Sequence, residues 1–329
     1  MRAIIAKELG PPENLVIEEI DPLTPGPGQV VVHNRAAAIN FPDLLVMQGK
    51  YQFRPPLPFS PGKEGAGVVK TVGEGVKGVK TGDRVMVQVE YGSYAQEILA
   101  EEGGCYILPD DLSFEEAAAI GIAYQTAHFG LVERGHVKQG DKVLVAGASG
   151  SVGLAAMQLA NAWGCEVIAG MTTMEKADLA LENGARHIID LSVDNLRDGI
   201  RDQIKAMTGG GVDIVMDMVG GEVFDGSIRA LNFGGSLVVV GFTSGVIPSF
   251  KVNYALLKNI AVTGVNWAEY RDRDPAMVQR VQSEIFNMVS DGRLVVPVQA
   301  VYPMEQVAEA CAVLSNRGVR GKVVITMGD

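Results

Sequence analysis

Between Lys142 and Gly153 a short apolar run, Val143-Leu144-Val145, breaks into Gly147, Gly150 and Gly153 and then opens a helical pattern. Residues of these types at this spacing can grip a pyrophosphate. The run suits a buried strand; one glycine lets the backbone turn sharply, one lets it approach an anion, and one packs the next helix closely on the strand. Leu154 to Trp163 carries apolar residues at helical spacing, which aims a helix N-terminus at that anion. Gly150 to Gly153 matches the second half of the G-x-G-x-x-G fingerprint, with Ala148 where its first glycine would stand. The turn alone is a weak signal, and a purely structural turn is the alternative. A second strand at Glu166 to Ala169 follows at the right distance and favours dinucleotide binding. The candidate contacts are Gly147, Ala148, Ser149, Gly150, Ser151, Val152 and Gly153.

The end of that second strand bears on which dinucleotide. An NAD site usually places Asp or Glu there to accept from the ribose 2′-hydroxyl, and this strand runs instead into Gly170-Met-Thr-Thr-Met-Glu-Lys176. The hydroxyls of Thr172 and Thr173 and the ammonium of Lys176 donate where a carboxylate would repel a 2′-phosphate, so the expected cofactor is NADPH. A plainer alternative stays open, in which Thr173 caps the following helix and Lys176 is a solvated first-turn residue.

These residues need a scaffold, and the rest of the chain outlines one. Strands and helices alternate after Gly140-Asp141, with strands expected at Lys142 to Ala146, Glu166 to Ala169, His187 to Ile189, Val212 to Asp217 and Ser236 to Val240, and a sixth at Ile260 to Thr263. Such alternation predicts a parallel, doubly wound sheet. Before it the chain is β-rich, with short β-branched runs at Val30 to His33, Gly65 to Val72 and Arg84 to Val89. Ser113 and Glu116 have capping-box spacing and start a helix. Two helical patterns, Pro275 to Ser290 and Met304 to Leu314, and a strand, Lys322 to Thr326, could return to the first module. The 329 residues suggest two domains.

Composition narrows the function. With 28 Lys and Arg against 39 Asp and Glu, the net charge is −11, and no basic cluster offers a surface to nucleic acid. No apolar run approaches the ~18 residues of a membrane span, and the N-terminus lacks the apolar core of a secretory signal, so a cytoplasmic protein is expected. Cys105, Cys165 and Cys311 are widely spaced, which excludes a disulfide framework and a cysteine zinc knuckle.

Several motifs in fixed order, Asn40-Phe-Pro-Asp43, Gly49-Lys-Tyr51, Pro61-Gly-Lys-Glu-Gly-Ala-Gly-Val-Val69, Gly82-Asp-Arg-Val85, Val240-Gly-Phe-Thr-Ser244 and Arg317-Gly-Val-Arg-Gly-Lys-Val-Val324, surround the nucleotide turn. Together the sequence resembles the medium-chain dehydrogenase/reductase superfamily, and within it the zinc-free quinone oxidoreductase branch. The resemblance implies an α/β protein with a GroES-like β-rich catalytic domain, 1–122 and 266–329, and a Rossmann-type NADP(H)-binding domain, 123–265. The superfamily's alcohol dehydrogenases hold a catalytic zinc. Here Asn40 stands where they carry the first cysteine ligand, and Gly62-Lys63-Glu64 where they have Gly-His-Glu. An amide and an ammonium cannot replace a thiolate and an imidazole, so no metal is expected.

Without a metal, hydride transfer to a quinone or an α,β-unsaturated carbonyl is easier to support than alcohol oxidation. The resemblance implies Tyr51 as a donor, because related enoyl-thioester reductases use a tyrosine at the matching position; a pocket-lining tyrosine is the alternative. It places Asn40 near the nicotinamide or substrate, against the alternative of an Asn that closes a loop before Pro42. Thr126 matches a position near the nicotinamide ribose. Gly241, Phe242, Thr243 and Ser244 follow a strand end where doubly wound sheets bind ligands, and Val265, Asn266 and Trp267 are expected beside them. Arg317 matches a cofactor-facing arginine in some relatives and also reads as a surface residue. A tyrosine that helps hold the 2′-phosphate in some members is Leu191 here, which weakens the NADPH preference without restoring a carboxylate. The implied acceptors are a quinone, an enone or an enoyl thioester, and the implied assembly is a homodimer joined through the nucleotide domain. Two alternatives stay open: a 2-enoyl thioester reductase and a non-catalytic NADPH-binding protein.

Overall fold

The computed structural model describes residues 1–315 and 319–328. In chain order it opens with strands β1 (Arg2–Ile5), β2 (Val16–Glu19) and β3 (Gln29–Ile39), helix α1 (Phe41–Met47), strands β4 (Glu64–Val72), β5 (Arg84–Gln88), β6 (Glu97–Glu101) and β7 (Cys105–Ile107), and helix α2 (Phe114–Phe129). Strands β8 (Lys142–Ala146), β9 (Glu166–Met171), β10 (His187–Asp190), β11 (Val212–Asp217), β12 (Leu231–Val239) and β13 (Ala261–Gly264) then alternate with helices α3 (Ser151–Ala162), α4 (Ala177–Glu182), α5 (Leu196–Thr208), α6 (Gly221–Ala230) and α7 (Asn253–Lys258). The chain closes with α8 (Trp267–Arg273), α9 (Pro275–Ser290), β14 (Val298–Pro303), α10 (Val307–Ser315) and β15 (Lys322–Thr326).

These elements form two compact units, Met1–Ile122 with Tyr270–Asp291 and Val296–Asp329, and Ala123–Glu269 with Gly292–Val295. The second unit extends past the expected boundary at 265 to Glu269 and takes in a short later segment. Hydrogen bonding explains that segment: the Tyr124 hydroxyl and Nε2 of Gln158 both donate to the Val295 carbonyl at 2.8 Å, and the Val295 amide donates to Oε1 of Gln158 at 2.8 Å.

In the second unit six parallel strands run in the order β10-β9-β8-β11-β12-β13. Counted along this unit, that is the 3-2-1-4-5-6 order of a doubly wound dinucleotide fold, with its topological switch between β8 and β11. The strands read as continuous apolar runs because helices cover both faces: Val143, Leu144, Val145, Ile168, Val215 and Leu237 are fully buried. The first unit holds a mainly antiparallel sheet ordered β14-β15-β3-β4-β5-β7, with β6 also paired to β3. Local signals place the helices. Ser113 and Glu116 form the expected capping box at α2, the Glu116 amide donating to Oγ of Ser113 at 3.2 Å and the Ser113 amide to Oε2 of Glu116 at 3.1 Å. Asp274 accepts from the Met277 amide at 3.0 Å to start α9, whose Val278, Val281, Ile285 and Phe286 are buried on one face.

Candidate active site

The glycine turn sits at the carboxyl end of β8, next to the switch point. Gly147 adopts φ +88°, open to glycine at little cost, and its amide and that of Ala148 donate to the Gly170 carbonyl at 3.0 and 3.2 Å. Gly153 enforces the close approach of α3, since a Cβ there would lie 2.5 Å from the Gly147 carbonyl oxygen. Gly150 is the N-cap of α3, and no side chain caps that helix. The first-turn amides of Ser151, Val152 and Gly153 therefore present donors and the positive end of the helix dipole to an anion. Ser149, Ser151 and Val152 are half-buried and Gly150 is exposed. Ala148 is 0% exposed with its amide engaged, so its part is packing beneath the turn and it offers no surface to a cofactor.

The candidates that follow β9, β12 and β13 lie at the same, carboxyl end of the parallel sheet. β9 ends at Met171, followed by exposed Thr172 and half-buried Thr173 and Lys176, with no carboxylate at the strand end. Thr173 precedes a short 3-10 turn, Met174–Lys176, and its side chain makes no capping bond there. Leu191 is 3% exposed and belongs to the apolar core between sheet and helices, so no polar group replaces the tyrosine of some relatives. Gly241 to Ser244 follow β12 and are pinned to the end of β11: the Gly241 amide donates to the Asp217 carbonyl at 3.3 Å and the Thr243 amide to the Met218 carbonyl at 3.0 Å. Val265 follows β13, with exposed Asn266 and the start of α8 at Trp267. Thr126 lies within α2 and is 7% exposed. Arg317 lies outside the described residues.

Asp217, unassigned from sequence, ends β11 at the switch point. One carboxylate oxygen accepts from the amides of Val219 and Gly220 at 2.8 and 2.9 Å and so shapes the loop there, while burial pushes its pKa up.

In the first unit, Tyr51 follows α1 and packs its ring beside Val46 and Phe59. The ammonium of Lys63 lies 5.1 Å from the Tyr51 ring centroid and 5.9 Å from that of Phe53. It donates to the Glu90 carboxylate at 2.9 Å and to the Glu90 carbonyl at 3.0 Å, and the other Glu90 oxygen accepts from Arg271. The Phe53 and Tyr91 rings stack at 6.1 Å, partly exposed. Burial pushes the Tyr51 phenol above its ordinary value, reinforced by the negative charges of Glu90 and Asp43.

Asn40 departs from its expected role. Its side chain is turned inward: Nδ2 donates to Oε1 of Glu64 at 2.9 Å, and Oδ1 accepts from the ammonium of Lys322 at 2.7 Å. Both ends of the amide are occupied within the protein, which leaves it a supporting part. Its backbone N–H donates to Oδ2 of Asp43, which also accepts from the Tyr94 hydroxyl at 2.9 Å. Full burial pushes Asp43 up to about 6, against the opposing effects of those bonds and Lys63.

Residues 26–114 match a family model described as alcohol dehydrogenase GroES-like domain, and residues 151–283 match one described as zinc-binding dehydrogenase. Over 327 residues the chain is 36% identical to quinone oxidoreductase-like protein 2 of Bos taurus, covering 99% of this chain and 92% of that protein. It is 34% identical over 323 residues to the Homo sapiens synaptic vesicle membrane protein VAT-1 homolog, covering 93% of this chain and 81% of the relative. The solved structure of Escherichia coli quinone oxidoreductase complexed with NADPH aligns with a TM-score of 0.90 at 31% identity, covering 99% of this chain and 100% of that one.

The second family description raises zinc, and the donors present do not fit it. Asn40 and Glu64 hydrogen-bond each other and Lys322, and Lys63 pairs with Glu90, so the amide, the carboxylate and the ammonium are already engaged within the protein. Among the described residues no group of three or more His, Cys, Asp or Glu could hold a metal ion. The doubly wound sheet, the β-rich companion unit and near-complete alignment with these relatives lead to one conclusion: the chain belongs to the quinone oxidoreductase branch of the medium-chain dehydrogenase/reductase superfamily.

Proposed function

We propose that this protein is a metal-free reductase that uses NADPH to reduce quinones or other activated alkenes. The observation that carries the reading is the uncapped N-terminus of α3 at the switch point, beside a second strand that ends at Met171 and is followed by Thr172 and Thr173 without a carboxylate. Bound NADPH supplies the hydride. The amides of Ser151 to Gly153 hold its pyrophosphate, and Thr172, Thr173 and Lys176 donate to its 2′-phosphate. Gly241 to Ser244 and Val265 to Trp267 border the same cofactor, with Thr126 toward the nicotinamide ribose. Tyr51 stays protonated at neutral pH and donates a hydrogen bond to the carbonyl oxygen of the acceptor, where negative charge grows. Phe53 and Tyr91 give a flat acceptor an apolar face.

The protein acts as a homodimer joined through the second unit. Its three free cysteines suit a reducing, cytoplasmic setting, and no helix among the described residues is long and apolar enough to cross a membrane. The test follows NADPH absorbance with purified protein against quinones, enals, enones and enoyl-CoA thioesters, repeated with NADH for the best acceptor. Turnover of quinones or enones with NADPH preferred is expected. Preference for the thioesters would replace this reading by an enoyl reductase, and tight NADPH binding with no turnover by a nucleotide-binding protein.

A further inference from the structure

Lys322 opens β15 with 2% of its surface exposed, and its ammonium lies 2.8 Å from Oε1 of Glu64 and 2.7 Å from Oδ1 of Asn40. Glu64, at the start of β4, is 0% exposed. Its second oxygen accepts from the Ile122 amide within α2 at 2.7 Å. Two glycines nearby leave no room for a side chain. A Cβ at Gly121 would sit 2.8 Å from Oε2 of Glu64, and a Cβ at Gly321, next to Lys322, would sit 2.2 Å from the Pro297 carbonyl oxygen.

An ion pair this deep is a poor device for stability, because desolvation costs several kcal/mol per ion and apolar packing of equal volume often does as well. Its geometry points to a different use. The ammonium and carboxylate together grip both ends of the Asn40 amide, and Asn40 is the N-cap of α1. α1 leads within four residues of its end to Tyr51, and its Val46 packs in one cluster with Phe59 and Tyr51.

We propose that Lys322 and Glu64 are positioning residues, a cation and its counter-ion built into the chain that hold Asn40, and through α1 hold Tyr51, in the geometry needed for turnover. The inference rests on Tyr51 as the hydrogen-bond donor to the acceptor. A displacement of about 1 Å at a reacting group can cost on the order of a hundredfold in rate, so loss of the grip is measurable in kcat.

Lys322→Met should lower both Tm and kcat, because Glu64 is left buried without its partner; unchanged kcat overturns the proposal. The double variant Glu64→Gln/Lys322→Met removes both charges and should regain most of the lost Tm. Its kcat with the best acceptor should stay at least roughly tenfold below the parent while Kd for NADPH shifts by less than about twofold. Recovery of kcat along with Tm would show the pair to be structural only. Asn40→Ala keeps both charges and removes only the gripped amide; it should give the same split between kcat and Kd, and parental kcat counts against the proposal. Hydrogen exchange over residues 40–53 reads the loop with no acceptor present. Faster exchange there in the double variant is expected, and equal exchange overturns the positioning role. This measurement keeps its meaning if the parent protein reduces no acceptor, a result that would sink the reductase reading alone.

Discussion

Tyr51 holds its proton because burial and the nearby Glu90 carboxylate both disfavour the phenolate. Tyr51→Phe therefore deletes a donor and little else. We expect kcat on an enone to fall roughly a hundredfold with NADPH affinity unchanged, measured by steady-state kinetics beside a binding titration; unchanged kcat would remove Tyr51 from the chemistry. Asp43 titrates in the opposite sense to a salt-bridged carboxylate. Its folded value of about 6 lies above the ordinary 3.8, so the folded chain binds more protons than the unfolded one between those values. Its contribution to stability is thus fully present below pH ~4 and is lost as pH rises toward 6, an effect on the order of 3 kcal/mol. Asp43→Asn keeps an acceptor for the Asn40 amide and the Tyr94 hydroxyl and cannot ionise. Its Tm relative to the parent should rise by several degrees between pH 4.5 and 7, followed by calorimetry across that range; a flat difference would show that Asp43 ionises as an ordinary carboxylate.

The turn from β8 into α3 makes a prediction in which stability and binding move in opposite directions. Gly150 has room for a side chain, the nearest atom to a Cβ there being the Gly147 carbonyl oxygen at 3.5 Å, and its φ of −81° suits any residue. Gly150→Asp should cap α3 and raise stability by about 0.5–1 kcal/mol while its charge expels the pyrophosphate and weakens NADPH binding by at least about tenfold. Thermal melts and a fluorescence titration read the two effects; a variant that binds NADPH as the parent does would show that the anion lies elsewhere. This turn was legible in sequence because consecutive residues perform its whole task. The same holds for β8 and β11, whose short, mostly apolar runs lie between glycine-bearing turns, and for α9, which starts at Asp274-Pro275. β12 starts at Leu231, ahead of the expected Ser236, because Asn232-Phe-Gly-Gly235 carries no strand pattern and is extended by its neighbours. The grip on Asn40 was not legible at all: Lys322 and Glu64 stand 258 residues apart, and no local spacing encodes such a pair. Asn40 itself drew attention as a replaced metal ligand, and the structure gives its amide to the interior.

The proposed homodimer has a candidate meeting place on the second unit. β13 ends the parallel sheet, so among the described residues its outer backbone edge pairs with no strand, and α7, near it in sequence, exposes Leu256 at 79% and Leu257 at 72%. A twofold axis beside β13 would join two sheets edge to edge and cover these side chains. The parent is expected to run as a dimer in light scattering and the double variant Leu256→Glu/Leu257→Glu as a monomer at the same concentration; a dimeric mass for the variant would place the interface elsewhere, and a monomeric parent would overturn the dimer.

The bare first turn of α3 also ties the lifetime of the protein to its surroundings. No side chain caps the first-turn donors, so on the proposed reading the cofactor's pyrophosphate would satisfy them and complete the fold as a cap residue does in other helices. At a hundred times its Kd a ligand adds about 2.7 kcal/mol to the folded state, enough to change the unfolded fraction about a hundredfold. A cell that runs short of reduced nucleotide would then present more of this chain to its proteases, and the amount of enzyme would track the supply of its own reductant.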